Sequence, residues 1–191
     1  MMGTKRMLLH ICCAPCSTHV IELLRPVYEV TGFFYNPNIQ PESQYKLRLD
    51  EMVRYARIAG IDLVVGEYDV RRWFSLVKGL EHEPEGGRRC WICYRMRLDR
   101  TARYAAGYGF DLITTTLSIS PHKDAARINE IGVEVVHRHG VGFLEADFKK
   151  KGGFQRSVIM SKRYNLYRQD YCGCIFSQRE AEERRRRRKR G

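Results

Sequence analysis

Seven cysteines fall at positions 12, 13, 16, 90, 93, 172 and 174, in three tight clusters and nowhere else along 191 residues. Any fold for this chain has to give those thiols a purpose. Disulfide staples in a secreted domain would be spread more evenly. An odd count, in a chain whose first residues (Met1 to Met7) lack a signal-like apolar stretch, argues further against them. Clustered thiols belong in a reducing compartment and imply metal or redox chemistry, so a cytoplasmic location is expected. With 43% hydrophobic and 29% charged residues, a chain of this length can bury a sufficient core without staples. No apolar run approaches the roughly 20 residues of a membrane span, so no membrane partner is expected.

The order of elements follows from the hydrophobic pattern. Met7 to Cys12 reads as a short buried strand that delivers the first cysteines to its carboxyl end, and a helix should follow from about Ser17. Tyr28 to Tyr35 is a second strand, and Pro41 opens a helix that Gly60 stops. Ile61 to Val65 is a third strand, Val70 to Lys78 a short helix, and Cys90 to Ala106 a longer one. Asp111 to Thr115 makes a fourth strand, Pro121 to Ile131 is helical, Val133 to Val136 is a fifth strand, and the remainder from Phe143 ends in helices. Strands alternating with helices predict an α/β fold, a mainly parallel sheet with helices on both faces plus a helical C-terminal part. We expect one domain over 1–180 and a disordered basic tail over 181–191. Sites in such folds gather at the carboxyl ends of the strands, where the first cysteines fall.

CCAPC at 12–16 puts three sulfurs just before a helix N-terminus, where backbone N–H groups and the helix dipole stabilise thiolates. Cys90-Trp91-Ile92-Cys93 has the spacing at which two thiolates on one turn hold the same metal centre. Sulfur-only ligation suits zinc or an iron–sulfur cluster. Structural zinc usually staples a knuckle, whereas here one ligand group sits at a sheet edge and another opens a helix. Iron–sulfur therefore ranks first, and zinc stays open. Cys172-Gly173-Cys174 closes only a small strained ring, which suits thiol exchange; two further metal ligands is its competing role. No glycine-rich phosphate loop is present, so no nucleotide is expected. His122 and Asp124, at a helix start beyond the fourth strand, are candidates for an acid, although a polar first helical turn explains them equally well.

The net charge is +12, of which Arg184 to Arg190 hold seven, leaving +5 on the rest of the chain. Such a surface attracts a polyanion such as RNA. Its contacts are expected at Lys149, Lys150 and Lys151, next to two glycines, and at Arg88 and Arg89, although solvated surface loops would look the same. Tyr164, Tyr167 and Tyr171 read as core more readily than as a base-stacking platform.

CCAPC, FFYNPNIQPESQY, RRCWICYRMRL, TTTLSISPHKD, DFKKKGG and YCGCIFS, in that order, closely resemble the cobalamin-independent epoxyqueuosine reductases, the QueH family, over Met7 to Gln178. The resemblance implies a fold similar to the HUP/PP-loop-like nucleotide-binding folds of tRNA-thiolating enzymes. It implies an enzyme of the last step of queuosine biosynthesis, which reduces the epoxide of epoxyqueuosine in tRNA without cobalamin. Carried over by motif, Cys12, Cys13, Cys90 and Cys93 would hold a [4Fe-4S] cluster, and Cys172 and Cys174 would be a redox-active pair. Cys16 is then a surplus donor, for an additional iron or for a proton, and His122 or Asp124 would protonate the leaving oxygen. The implied partners are tRNA carrying epoxyqueuosine and an electron donor that the sequence does not identify. Two other classes stay open: a tRNA sulfur transferase, which would need an ATP loop, and a zinc-held RNA-binding module.

Overall fold

The computed structural model describes residues 3–188. Five parallel strands, β1 (Arg6–His10), β2 (Glu29–Phe34), β3 (Asp62–Val65), β4 (Leu112–Thr115) and β5 (Gly142–Phe143), form one sheet in the order β3-β2-β1-β4-β5. Between and after them lie α1 (Ala14–Leu24), α2 (Glu42–Ala59), α3 (Val70–Val77), α4 (Arg88–Gly107), α5 (Ala125–His137), α6 (Gly153–Arg163) and α7 (Ile175–Arg188). The all-parallel α/β architecture is the one the sequence predicts.

Alternation along β1 divides the core. Met7 and Leu9 point to one face, against α1 and α2 residues such as Val20, Ile21 and Met52. Leu8 points to the other, among Leu98 and Ala102 of α4 and Ile128 of α5. A strand covered on both faces needs the unbroken apolar run seen in β1, and each such buried side chain contributes about 1.5–3 kcal/mol. The chain leaves β1 toward β2 on one side and returns beyond it as β4. Strand order therefore reverses beside β1, and the crevice outside the carboxyl ends of β1 and β4 is where ligands bind in open parallel sheets.

Helix ends follow local chemistry. Pro41 precedes α2, and Gly60, at φ 62°, closes it in the left-handed conformation. Two expectations are corrected. Val133 to Val136 is no strand but the last turns of α5, because Ile128, Ile131, Val135 and Val136 form one buried helical stripe. The fifth strand is instead Gly142–Phe143, whose ring lies so close to Gly132 that a Cβ there would collide with it. The disordered tail expected from 181 is likewise helix through Arg188: Phe176 and Ala181 bury one side of α7, and Arg184 and Arg185 face Glu85 and Asp170 at 4.0 and 3.4 Å. The last three positions of the expected tail, 189–191, lie outside the described residues.

Candidate metal centre and its cavity

The carboxyl ends of β1 and β4 hold Cys12 between them. Its backbone N–H donates to Thr116 Oγ1 at 3.0 Å, and the same hydroxyl donates to Cys12 Sγ at 3.2 Å. Cys13 is the extended residue at the head of α1, Pro15 fits the first turn, where its missing N–H costs nothing, and Cys16 completes that turn. The three sulfurs lie within 4.8 Å of one another, the one group of three or more such donors among the described residues. Hydrogen bonding with the Cys13 and Cys16 thiols holds Cys12 well below the usual thiol range, aided by Arg97 and Lys123. The same bonds push Cys13 and Cys16 up. Of the three sulfurs, Cys12 is therefore the readiest to lose its proton.

Cys90 and Cys93 are buried on the first turns of α4, where the Gly86 N–H donates to Cys90 Sγ at 3.3 Å. Burial, with a smaller contribution from the nearby Cys172, pushes their thiols to about 12 and about 11. Cys90 and Cys93 thus sit in the electrostatic field of Cys172 and Cys174, while Cys12 and Cys13 group with Cys16. Cys174 is buried just before α7 and accepts from the Ser177 N–H at 3.4 Å. Gly173 between the pair has φ 140°, and a Cβ there would meet Ile39 Cγ1 at 2.9 Å and Arg48 Nη1 at 3.0 Å, so only glycine fits. All seven cysteines are free thiols.

Cys12, Cys13, Cys16 and Cys172 line one cavity of about 310 Å³. Lys123, Arg168 and Arg184 bring positive charge to it, and Glu85 and Asp170 bring negative charge. Burial works against the Lys123 ammonium, but Cys172, Tyr94, Cys12 and Cys16 hold its proton well above the usual lysine range. His122 lines the cavity and is exposed. Asp124 does not line it; its carboxylate caps α5, accepting from the N–H groups of Ala126 at 2.9 Å and Arg127 at 3.4 Å. A group engaged in capping is the polar first turn that the sequence equally allowed.

The expected RNA contacts divide. Lys149 faces Asp147 at 2.9 Å and donates to the Lys123 carbonyl at 3.3 Å, which ties its turn to the cavity wall; Lys150 and Lys151 are exposed. Arg88 is exposed and pairs with Glu83 at 2.9 Å. Arg89 is corrected: it is 1% exposed, donates to the carbonyls of Glu81 and Glu83, and faces Glu180 at 3.2 Å, so it locks the loop before α4 and cannot reach a polyanion. Of the tyrosines, Tyr164 packs on Tyr55 and Tyr167 is exposed, while Tyr171 lines the cavity and donates to the Gln40 carbonyl at 3.1 Å. Sequence reasoning missed Lys123, Arg97, Arg168 and Arg184. Lys123 sits between the two residues singled out in PHKD, and Arg97 falls one helical turn after Cys93, a spacing that places both on one face.

These features define a parallel α/β protein whose strand-order reversal carries a thiolate-rich, cation-flanked cavity, the arrangement of a metal- or thiol-dependent enzyme. Residues 7–180 match the epoxyqueuosine reductase QueH family. The chain is 41% identical over 181 residues to the epoxyqueuosine reductase QueH of Haemophilus influenzae, covering 94% of this chain and 74% of that one. It is 39% identical over 189 residues to the QueH of Thermotoga maritima, covering 96% and 94%. This chain belongs to the QueH family of epoxyqueuosine reductases and is an oxidoreductase. Its fold is also similar to that of the U34-tRNA thiolase NcsA from Methanococcus maripaludis, solved with its [4Fe-4S] cluster. There the TM-score is 0.58 at 12% identity, over 92% of this chain, which spans 62% of the thiolase.

Proposed function

We propose that this chain removes the epoxide oxygen of epoxyqueuosine in tRNA at the cavity lined by Cys12, Cys13, Cys16 and Cys172, with the electrons delivered through a [4Fe-4S] cluster. The observation that carries the reading is that cysteines remote in sequence share one cavity at the strand-order reversal, with Cys90 and Cys93 in the electrostatic field of Cys172.

The donor set fits such a group. It is all sulfur, and two buried N–H donors beside Cys93, Trp73 Nε1 and Arg97 Nη1, have no oxygen or nitrogen acceptor. Buried N–H groups without an acceptor are costly, and anionic sulfur supplies one. Cys12, Cys13, Cys90 and Cys93 would hold the cluster, and Cys16, the third sulfur of the loop, is the donor left for an additional iron. When bound, the cluster supplies electrons one at a time, whereas opening an epoxide to an alkene and water takes two electrons and two protons.

The protein's own groups account for the rest. Lys123 holds a positive charge at the cavity wall, where negative charge develops on the departing oxygen. His122, whose imidazole lines the same wall, is the better placed of the two acid candidates to hand over a proton, because the Asp124 carboxylate is committed to its helix cap. Cys172 lines the cavity and Cys174 is buried behind it, so the pair would hold two electrons as a dithiol and release them, with two protons, on closing to the disulfide. The substrate's tRNA would be held by Lys149, Lys150, Lys151 and Arg88 together with Arg168 and Arg184.

The test is anaerobic. The purified chain is assayed for iron, sulfide and zinc, reduced with dithionite, and mixed with tRNA carrying epoxyqueuosine, and the nucleosides are then digested and weighed. About four irons per chain, the content of one such cluster, together with the loss of one oxygen mass, is the expected result. A colourless zinc protein that leaves the epoxide intact would point to a zinc-held RNA-binding module.

A further inference from the structure

Arg97 is 1% exposed, deep behind the cysteines and away from the cavity wall. Its Nη2 donates to Asn36 Oδ1 at 2.5 Å, its Nε lies 3.3 Å from His10 Nε2, and its Nη1 has no partner. His10 Nε2 lies 3.3 Å from the Tyr35 carbonyl as well, and its Nδ1 lies 2.8 Å from Thr115 Oγ1, so in either tautomer the imidazole offers Arg97 no negative charge. Asn36 offers none either. Among the described residues no carboxylate oxygen comes within 4.0 Å of the guanidinium. The nearby groups that can carry negative charge are sulfurs: Cys93, one helical turn earlier on α4, then Cys12 and Cys172.

A guanidinium does not deprotonate in a protein, and a buried charge without a counter-charge is among the costliest things a core can hold. Arg97 has around it sulfurs contributed by the segment after β1, by α4 and by the segment before α7, and two side chains, Asn36 and His10, fix its orientation without balancing it. We propose that Arg97 is the fixed counter-ion of the sulfur-bound centre, a positioning residue that never meets substrate. One-electron reduction adds a negative charge to that centre. A permanent cation beside it stabilises the reduced form and so raises the reduction potential; burial keeps water from screening the effect. The inference rests on the iron–sulfur reading above.

The experiment compares wild type with Arg97→Met, which keeps length and removes charge, and Arg97→Lys, which keeps charge and loses the planar fork. Each is reconstituted anaerobically, iron and sulfide are counted, and the midpoint potential is read by optical redox titration. Arg97→Met is expected to shift the one-electron equilibrium at least tenfold toward the oxidised form, which is about 59 mV to more negative potential, with Arg97→Lys staying close to wild type. A loaded Met variant with the wild-type potential overturns the proposal. If the Met variant takes up no iron, the Lys variant decides: a Lys variant that loads like wild type supports the counter-ion, and one that fails as the Met variant does shows that shape and not charge is required. A wild-type chain that binds no iron and sulfide would sink the reading of the centre itself, which separates the two failures.

Discussion

Cys16 shows how one residue's surroundings decide between ligand and bystander. Its sulfur belongs to the 4.8 Å group with Cys12 and Cys13, and hydrogen bonding with those two sulfurs pushes its thiol up, toward the protonated form. A thiol held in that state is available either to donate a proton or to take a metal ion that displaces it. Cys16→Ser keeps the hydrogen bond and loses the soft ligand. Cluster iron and sulfide should therefore stay near wild type while turnover falls at least tenfold, as read by metal analysis and by single-turnover mass spectrometry of the nucleoside. Full turnover with full cluster content would remove Cys16 from the mechanism. At this scale the sequence was generous with sulfur and silent about charge. The cysteines announce themselves by clustering, whereas Arg97 and Lys123 are two among 34 basic residues, and only the fold brings both close to cysteine sulfurs.

The central strands β1, β2 and β4 were legible because burial on both faces of a parallel sheet leaves an unmistakable apolar pattern, while the edge strand β3 showed itself by the short apolar run Leu63 to Val65 after Gly60. The two that escaped have no such pattern. β5 is two residues long, and its neighbour α5 ends in Val-Glu-Val-Val, a β-branched run that mimics a strand. What decides for helix is the i, i+3, i+4 stripe together with Gly132, which leaves room for Phe143 to cross the helix. Replacing Gly132 with Ala should therefore destabilise the protein by about 1–3 kcal/mol through overpacking, despite the roughly 1 kcal/mol that alanine gains over glycine in a helix. In a double-mutant cycle the further change Phe143→Ala should recover part of the loss, since the methyl then has space. Urea denaturation of the four proteins measures both, and strict additivity of the two substitutions would mean that the contact does not decide where β5 docks.

At the scale of the whole molecule, positive charge from three separate segments meets at the cysteine cavity. Arg168 and Arg184 reach the cavity from the segment before α7 and from α7 itself, and the Lys149 to Lys151 turn is tied to its wall through the Lys123 carbonyl. Two carboxylates of the same cavity, Glu85 and Asp170, engage Arg184 and Arg185 at 4.0 and 3.4 Å while no polyanion is there. Pairs this loose and partly exposed are worth little, so a phosphate backbone arriving at the opening competes with them easily. Each phosphate neutralised releases counter-ions and adds about 0.7–0.9 to the slope of log affinity against log salt. Replacing Arg168 and Arg184 together by Ala should weaken binding of a tRNA anticodon stem–loop at least tenfold and flatten that slope by about 1.5. Removing only the competitor, as Glu85→Gln, should tighten binding. Arg57→Ala, at the opposite, amino-terminal edge of the sheet, serves as control and should leave both affinity and slope unchanged. Anisotropy titrations from low to moderate salt read all three. A double variant that keeps the wild-type slope would show that the RNA approaches over the lysine turn instead. The long arginine-rich helix would then be no more than the packed side on which the Cys172–Cys174 segment rests.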